Sequence, residues 1–161
     1  RQEALNMSAS GPVARASGVT RDLRKDEPYL AYSDFDFQVC CATAGDCFAR
    51  YLVRMDEIKE SLAIVHQALD QFPSSGPIEA ENLPRALRPE PGEIYWRQEN
   101  PRGEYGIYMV SDGTTQPWRM KVRSPCFHNL SSLRHQTLGL YLADAVVALG
   151  SVDIVLGEVD R

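Results

Sequence analysis

Gly92–Arg123, GEIYWRQENPRGEYGIYMVSDGTTQPWRMKVR, reads as three short strands joined by two turns. Glu93–Glu99 alternates and stops at Asn100-Pro101-Arg102-Gly103, a dense turn signal. Glu104–Ser111 follows and stops at Asp112-Gly113, the dipeptide typical of a tight hairpin turn. Gln116–Arg123 alternates again, sending Trp118, Met120 and Val122 to one face and Arg119, Lys121 and Arg123 to the other. The spacing therefore predicts a small antiparallel sheet. One face is greasy enough to lie on helices, and the other carries a row of cations that can meet something anionic.

Upstream of the sheet, residues 73–92 form a connector, since Phe72–Pro91 holds five of the ten prolines and no period. Before it, Phe48, Tyr51, Leu52, Met55, Ile58, Leu62, Val65, Leu69 and Phe72 recur at three and four residues. That is one stripe of a long amphipathic helix over residues 44–72, capped by Thr43 or Asp46 and ended by Pro73. At about 1.5 Å per residue it runs roughly 40 Å, which suits a larger helical bundle. His66 falls beside the stripe, where a packing role outweighs a catalytic one. Residues 1–43 read as an irregular arm, with turns at Ser10-Gly11-Pro12 and Glu27-Pro28 and one short strand at Phe35–Val39. The charge run Arg21–Asp26 reads as a solvated face.

Downstream, residues 124–161 read as terminal helices and a buried tail. A short helix begins near Asn129, Gly139 breaks the chain, and Leu140–Leu149 makes a compact buried helix ended by Gly150. The last residues, Ser151–Arg161, are apolar and punctuated by carboxylates, so they are expected to be buried. A buried Asp153 needs a cationic partner, and Arg102 and Arg119 are the candidates. Set in an apolar cavity instead, the same carboxylate is a functional group. The fold class is α+β: a long helix and short terminal helices packed on a three-stranded antiparallel sheet.

With 161 residues, 43% hydrophobic and 24% charged, the chain has the composition of an ordinary globular protein with one core. A net charge of -5 leaves no nucleic-acid footprint. Cys40, Cys41, Cys47 and Cys126 have no metal-ligand spacing, which argues against an iron–sulfur site within the chain. They read as reduced, mostly buried thiols of a cytosolic-side protein. His128 and His135 are too far apart for a one-turn metal pair. Asp144 and Asp153 interrupt the longest apolar region, so a protein working at a membrane would sit on it. The chain opens on Arg1, and its first residues read as the middle of a longer polypeptide.

Three strings carry more than periodicity. They are Gly45–Tyr51 with Val53-Arg54-Met55, Pro101-Arg102-Gly103-Glu104 with Val110-Ser111-Asp112-Gly113, and Leu142-Ala143-Asp144 leading into Gly150–Arg161. On these the chain resembles the C-terminal part of the 49-kDa, or D-type, subunit family of NADH-quinone oxidoreductase, respiratory complex I. Ser10-Gly11-Pro12, Arg15-Ala16-Ser17-Gly18 and Asp22-Leu23-Arg24-Lys25 fit the same family, and the likeness covers essentially the whole chain. The family is similar in turn to the large subunits of nickel–iron hydrogenases. Their two terminal cysteines fall here on Val155 and Glu158, neither of which supplies a thiolate to nickel.

The resemblance implies a fragment of a hydrogenase-large-subunit-like fold, in which the former metal site is a cavity for the quinone headgroup. It places Asp153, Val155 and Leu156 near that cavity, Arg161 as the anchor of the tail, and Arg102 and Ser111 in the supporting wall. It implies no cofactor on this fragment, quinone as substrate, and NADH and iron–sulfur clusters handled by partner subunits. The implied partners are other complex I subunits: the B-type iron–sulfur cluster protein, the C-type protein and the H-type membrane protein, with no nucleic acid. The implied location is peripheral, on the cytoplasmic face of the cell membrane, or the matrix side in a mitochondrion. The family's quinone-contacting histidine and tyrosine lie outside these residues, so the fragment alone is expected to be inactive. The short connector after Gly76-Pro77-Ile78 departs from many members and leaves room for a ferredoxin or deazaflavin donor, while the absence of the quinone-contacting half leaves a non-catalytic scaffold of the same descent as a further alternative.

Overall fold

Asp46 begins the longest element of the computed structural model, which describes residues 1–77, 79 and 84–160. Its carboxylate accepts from the Ala49 N–H at 2.7 Å and caps helix α4, Cys47–Asp70. The 24 residues of α4 run roughly 36 Å at about 1.5 Å each. The buried face of α4 is Ala49, Arg50 and Val53, against which helices α2 (Gly11–Arg15) and α7 (Leu142–Val152) pack. The apolar stripe from Phe48 to Leu69 is exposed along its whole length.

The densest part of the core lies elsewhere, in residues 1–43. Val13, Ala14, Ala16, Val19, Leu23 and Phe37 are buried, and Ala16 closes on Ala49 and Val53. The arm expected to be irregular holds α1 (Gln2–Asn6), α2, α3 (Leu23–Asp26) and a 3-10 turn at Tyr32–Asp34. None is long enough to show a period or to be stable alone, so tertiary contacts hold them. The charge run also departs from a solvated face, because Asp22 and Leu23 are each only 1% exposed. Around Phe35–Val39 the chain pairs with helix side chains in place of a strand. The Asp36 and Gln38 N–H groups donate to Gln67 and Glu60 of α4, and Gln67 returns a bond to the Asp36 carbonyl.

The sheet is antiparallel in the order β1 (Gly92–Asn100), β2 (Gly103–Ser111), β3 (Arg119–Arg123). β3 starts later than the alternation suggests, since Pro117 has no N–H for the ladder and pairing resumes from the Trp118 N–H to the Val110 carbonyl. The register aligns Trp96, Ile107 and Val122, and next to them Ile94, Met109 and Met120, on one face. This face does not lie on helices as expected: Ile94, Trp96, Trp118 and Met120 are all more than half exposed. Helices reach the sheet through α3 on β1 and through α2 and α5 (Pro125–Ser131) on β2. On the cationic face, Arg123 meets the chain's own Glu104, donating to its carbonyl at 2.6 Å and lying 3.6 Å from its carboxylate.

After α5 and α6 (Leu133–Thr137), α7 runs through Gly150 to Val152, and α8 (Leu156–Val159) is the last element. α7 is not the buried helix its composition suggests, for among its residues only Ala148 and Val152 are buried. The tail is open too, with Leu156 76% exposed. A folded 18.0 kDa protein exposes roughly 8,000 Å²; this chain exposes 11232 Å². The excess includes the apolar faces of α4, α7 and the sheet, which are uncovered in this chain. Among the described residues no helix is long and apolar enough to cross a membrane.

Candidate functional site

The turn between β1 and β2 is fixed by contacts that only glycine permits. A Cβ on Gly11 would stand 2.5 Å from the Arg102 carbonyl oxygen, and one on Gly103 would stand 2.7 Å from the Gly11 nitrogen. Both glycines have positive φ, +63° and +130°. The Ser10-Gly11 backbone thus lies directly on Arg102-Gly103. Asn129 of α5, 1% exposed, ties the two together. Its Oδ1 accepts from the Ser10 N–H at 3.1 Å, and its Nδ2 donates to the Ser10 and Arg102 carbonyls. The Glu104 N–H donates to Ser10 Oγ.

Held this way, Arg102 reaches the end of α7. Its Nε donates to the Asp153 carbonyl at 2.9 Å, and its Nη2 lies 3.3 Å from the Asp153 carboxylate. Of the two candidates, Arg102 is thus the partner of Asp153. Asp153 closes α7 in the left-handed conformation, with φ 61°, an uncommon state for a residue with a side chain. Its side chain stays 46% exposed. Asp153 lines a cavity of about 380 Å³ together with Arg54, Glu57, Glu99, Pro101 and Arg15. A wider hollow of about 660 Å³ lies beside α1, α6 and the start of α4, but none of the predicted site residues lines it. The smaller cavity is the better candidate, because the charged groups converge there.

A buried ion network backs the cavity. Arg15 is 1% exposed and donates to Glu57 at 2.7 Å and to Glu99 at 2.7 Å. Asp22 takes a bidentate pair from Arg24 and stands 3.8 Å from Arg15. Burial alone would pull the Arg15 guanidinium down, but the two glutamates hold it up. Burial raises the Glu99 carboxyl above its ordinary range in spite of Arg15. For Asp22, burial pushes up and the Arg24 hydrogen bonds pull down, and the latter win.

The remaining predicted residues separate. Val155 and Leu156 follow Asp153 and are exposed, and the Val155 N–H donates to Cys126 Sγ at 3.5 Å. Burial and a hydrogen bond with Glu158 push the Cys126 thiol up to about 11. Cys126 is the buried thiol; Cys40 and Cys47 are half-buried and Cys41 is exposed, so the expectation of mostly buried thiols holds for one of four. Ser111 lies at the far end of β2 from Arg102. β2 is nine residues long, so Ser111 lies roughly 26 Å from the turn at about 3.3 Å per residue, and its hydroxyl donates to the Pro89 carbonyl. Arg161 lies outside the described residues. Among the described residues no group of three or more His, Cys, Asp or Glu is arranged to hold a metal ion.

The sequence reading missed Asn129, Glu57, Glu99 and the placement of Arg15. Each looks like an ordinary polar residue on a helix or strand, and only the packing of three distant segments makes it part of a site. A signal did exist for Glu99: a carboxylate just ahead of Asn100-Pro101-Arg102-Gly103 is forced close to whatever that turn packs against.

Comparison with known proteins shows the family. The family described as respiratory-chain NADH dehydrogenase, 49 Kd subunit, matches residues 1–91 and 83–161. The chain is similar to the D subunit of NADH-quinone oxidoreductase from Geobacillus thermodenitrificans, with 51% identity over 160 residues, 99% of this chain and 43% of that protein. It is 47% identical over 161 residues to the corresponding NADH-quinone oxidoreductase protein of Dehalococcoides mccartyi, covering 100% of this chain and 43% of the relative. It is also 49% identical over 164 residues to the D subunit of the F(420)H(2) dehydrogenase from Methanosarcina mazei, covering 99% of this chain and 44% of the relative. The chain spans less than half the length of these curated relatives. The glycine-packed turn, its Asn129 tie and the capped Asp153 are therefore features of a chain that belongs to the respiratory-chain NADH dehydrogenase 49 Kd subunit family.

Proposed function

We propose that this chain forms part of the quinone-reduction cavity of a membrane-associated NADH-quinone oxidoreductase, with Asp153 and Arg102 its central pair. The observation that carries the reading is a cavity-lining, half-exposed Asp153 held by Arg102 at the left-handed end of α7. Reduction of a quinone to a quinol takes two electrons and two protons. The electrons come from an iron–sulfur cluster on a neighbouring subunit, and negative charge develops on the headgroup oxygens before the protons arrive. A fixed carboxylate and guanidinium beside the headgroup set the field in which that charge forms. Charge movement around the reduced quinone then drives proton translocation in the membrane subunits.

Val155 and Leu156 supply apolar contact to the substrate, and Arg161 anchors the tail. The partners are the B-type iron–sulfur protein, the C-type protein and the H-type membrane protein of the same complex. NADH is oxidised elsewhere in the complex, which is bound peripherally on the cytoplasmic face of the membrane. The exposed faces of α4, α7 and the sheet fit a subunit embedded among others. The 161-residue chain alone is inactive in this reading.

The test is Asp153→Ala in the assembled enzyme. Quinone reductase activity is expected to fall about tenfold or more, with altered inhibitor sensitivity; full activity with unchanged inhibition would remove Asp153 from the cavity. A second reading keeps the cavity and changes the donor, and the 49% identity to an F(420)H(2) dehydrogenase protein favours it. Assaying the purified complex with NADH, reduced ferredoxin and a reduced deazaflavin separates the two. An assembly inactive with all three donors would instead favour a scaffold.

A further inference from the structure

Arg54 is the charged group in the cavity that the chain's own structure leaves least used. It sits one turn before Glu57 and Ile58 on α4, half-buried, on the wall that faces Pro101 and Asp153. A guanidinium has five N–H donors. The hydrogen bond that Arg54 makes runs from Nη1 to the Arg50 carbonyl at 3.3 Å, and among the described residues no carboxylate lies within 4.0 Å of it in an ion pair. The contrast is with Arg15, which lines the same cavity and spends its guanidinium on Glu57, Glu99 and the Arg21 carbonyl. Burial pulls the Arg54 guanidinium down, and the nearby Asp153 and Glu57 charges only partly compensate. Arg54 thus lines the cavity with donors that the chain's described residues leave without acceptors, and a ligand that enters can take them.

The rest of the cavity says what kind of ligand that is. Ile58, Pro101 and the Tyr32 ring are apolar or flat, while Ser61, one turn beyond Ile58, adds a hydroxyl. A cavity of about 380 Å³ that sets Ile58, Pro101 and the Tyr32 ring among charged side chains and offers a planar donor fork suits a flat, carbonyl-bearing ring. We infer that Arg54 donates to a carbonyl oxygen of the quinone headgroup, making α4 the second wall of the site opposite Pro101 and Asp153. This rests on the quinone-cavity reading above and adds to it a residue that holds the substrate. The planar fork meets the oxygen as it gains negative charge, so the bond tightens on reduction.

The experiment uses the assembled oxidoreductase carrying Arg54→Met or Arg54→Lys, assayed with a short-chain benzoquinone. For R54M the KM for the benzoquinone is expected to rise about tenfold to a hundredfold, the loss of one charge-assisted hydrogen bond. R54K is expected to recover part of that rise, because a point charge replaces the fork. Reduction of an artificial one-electron acceptor upstream of the site stays unchanged in both. If Arg54 instead pairs with a carboxylate of another protein segment, R54M loses thermal stability or assembly while KM stays at the wild-type value, which overturns the inference. Should R54M fail to assemble, R54K decides by the same criterion, since an unaltered KM there also overturns it. An azido-benzoquinone cross-link on wild-type enzyme separates the two levels of the argument. Labelling at residues 153–156 with an unchanged KM in R54K removes only the role of Arg54. Labelling that spares both these residues and α4 removes the cavity itself.

Discussion

The arm of residues 1–43 and the stripe on α4 exchange the roles their sequences suggest. The arm is short of period, rich in charge and broken by turns, yet it contains the densest group of buried side chains, including Arg15 and Asp22. The stripe is the most regular apolar pattern in the chain, yet Phe48, Ile58, Leu62 and Leu69 are exposed. Hydrophobic periodicity identifies a face that wants to be covered; which chain covers it is a separate matter. Burial in the arm comes from backbones packed at glycines and from charges that satisfy one another, neither of which has a period.

The sharpest way to break this comparison is to attack both regions in the 161-residue chain and compare urea midpoints. Arg15→Met strands Glu57 and Glu99 without their cation in a dry site and is expected to cost about 3–5 kcal/mol. Next comes Asn129→Leu, which leaves the Ser10 N–H and the Ser10 and Arg102 carbonyls without their partner. A cost of about 2–3 kcal/mol is expected, along with faster hydrogen exchange at the Ser10 N–H. A midpoint unchanged by either variant would return the arm to the solvated reading.

The two buried carboxyls sharpen the picture through pH. Asp22 has its folded value lowered, so it contributes stability above the ordinary carboxylate range that is lost as pH falls through the folded value. Glu99 has its folded value raised, so the folded state holds the proton longer, and stability declines as pH rises from the ordinary value to the raised one. Asp22→Asn should therefore flatten the acid limb of a stability–pH curve, and Glu99→Gln should flatten the fall on its alkaline side. Two variants with the same curve would show that the network does not titrate as separate groups. The smallest effect belongs to the stripe: Leu62→Ser should change stability by no more than about 0.5 kcal/mol while reducing binding of a hydrophobic dye. A loss of several kcal/mol there would mean that the stripe is packed in solution.

Local signals carried far in the sheet and the long helix. Asn100–Gly103 set the β1–β2 turn, Asp46 capped α4, and alternation sorted Arg119, Lys121 and Arg123 from Met120 and Val122. One pair was legible as well, since acids in an apolar tail demand cations and Arg102 was a named partner of Asp153. The separation of Ser111 from Arg102 was not legible, because their two strings, adjacent in sequence, sit at opposite ends of one strand.

By itself the sequence determined the elements whose cause is local: strand alternation, helix stripe, caps, turns, and the family likeness carried by contiguous strings. The tertiary structure decided which of those faces is covered, and it brought Ser10, Arg15, Arg54, Arg102, Asn129 and Asp153 to one place. The physical reason is range. Backbone conformation follows from neighbours a few residues away, whereas a buried charge or a ligand cavity depends on segments about a hundred residues apart, as in the bond from Ser10 to Asn129.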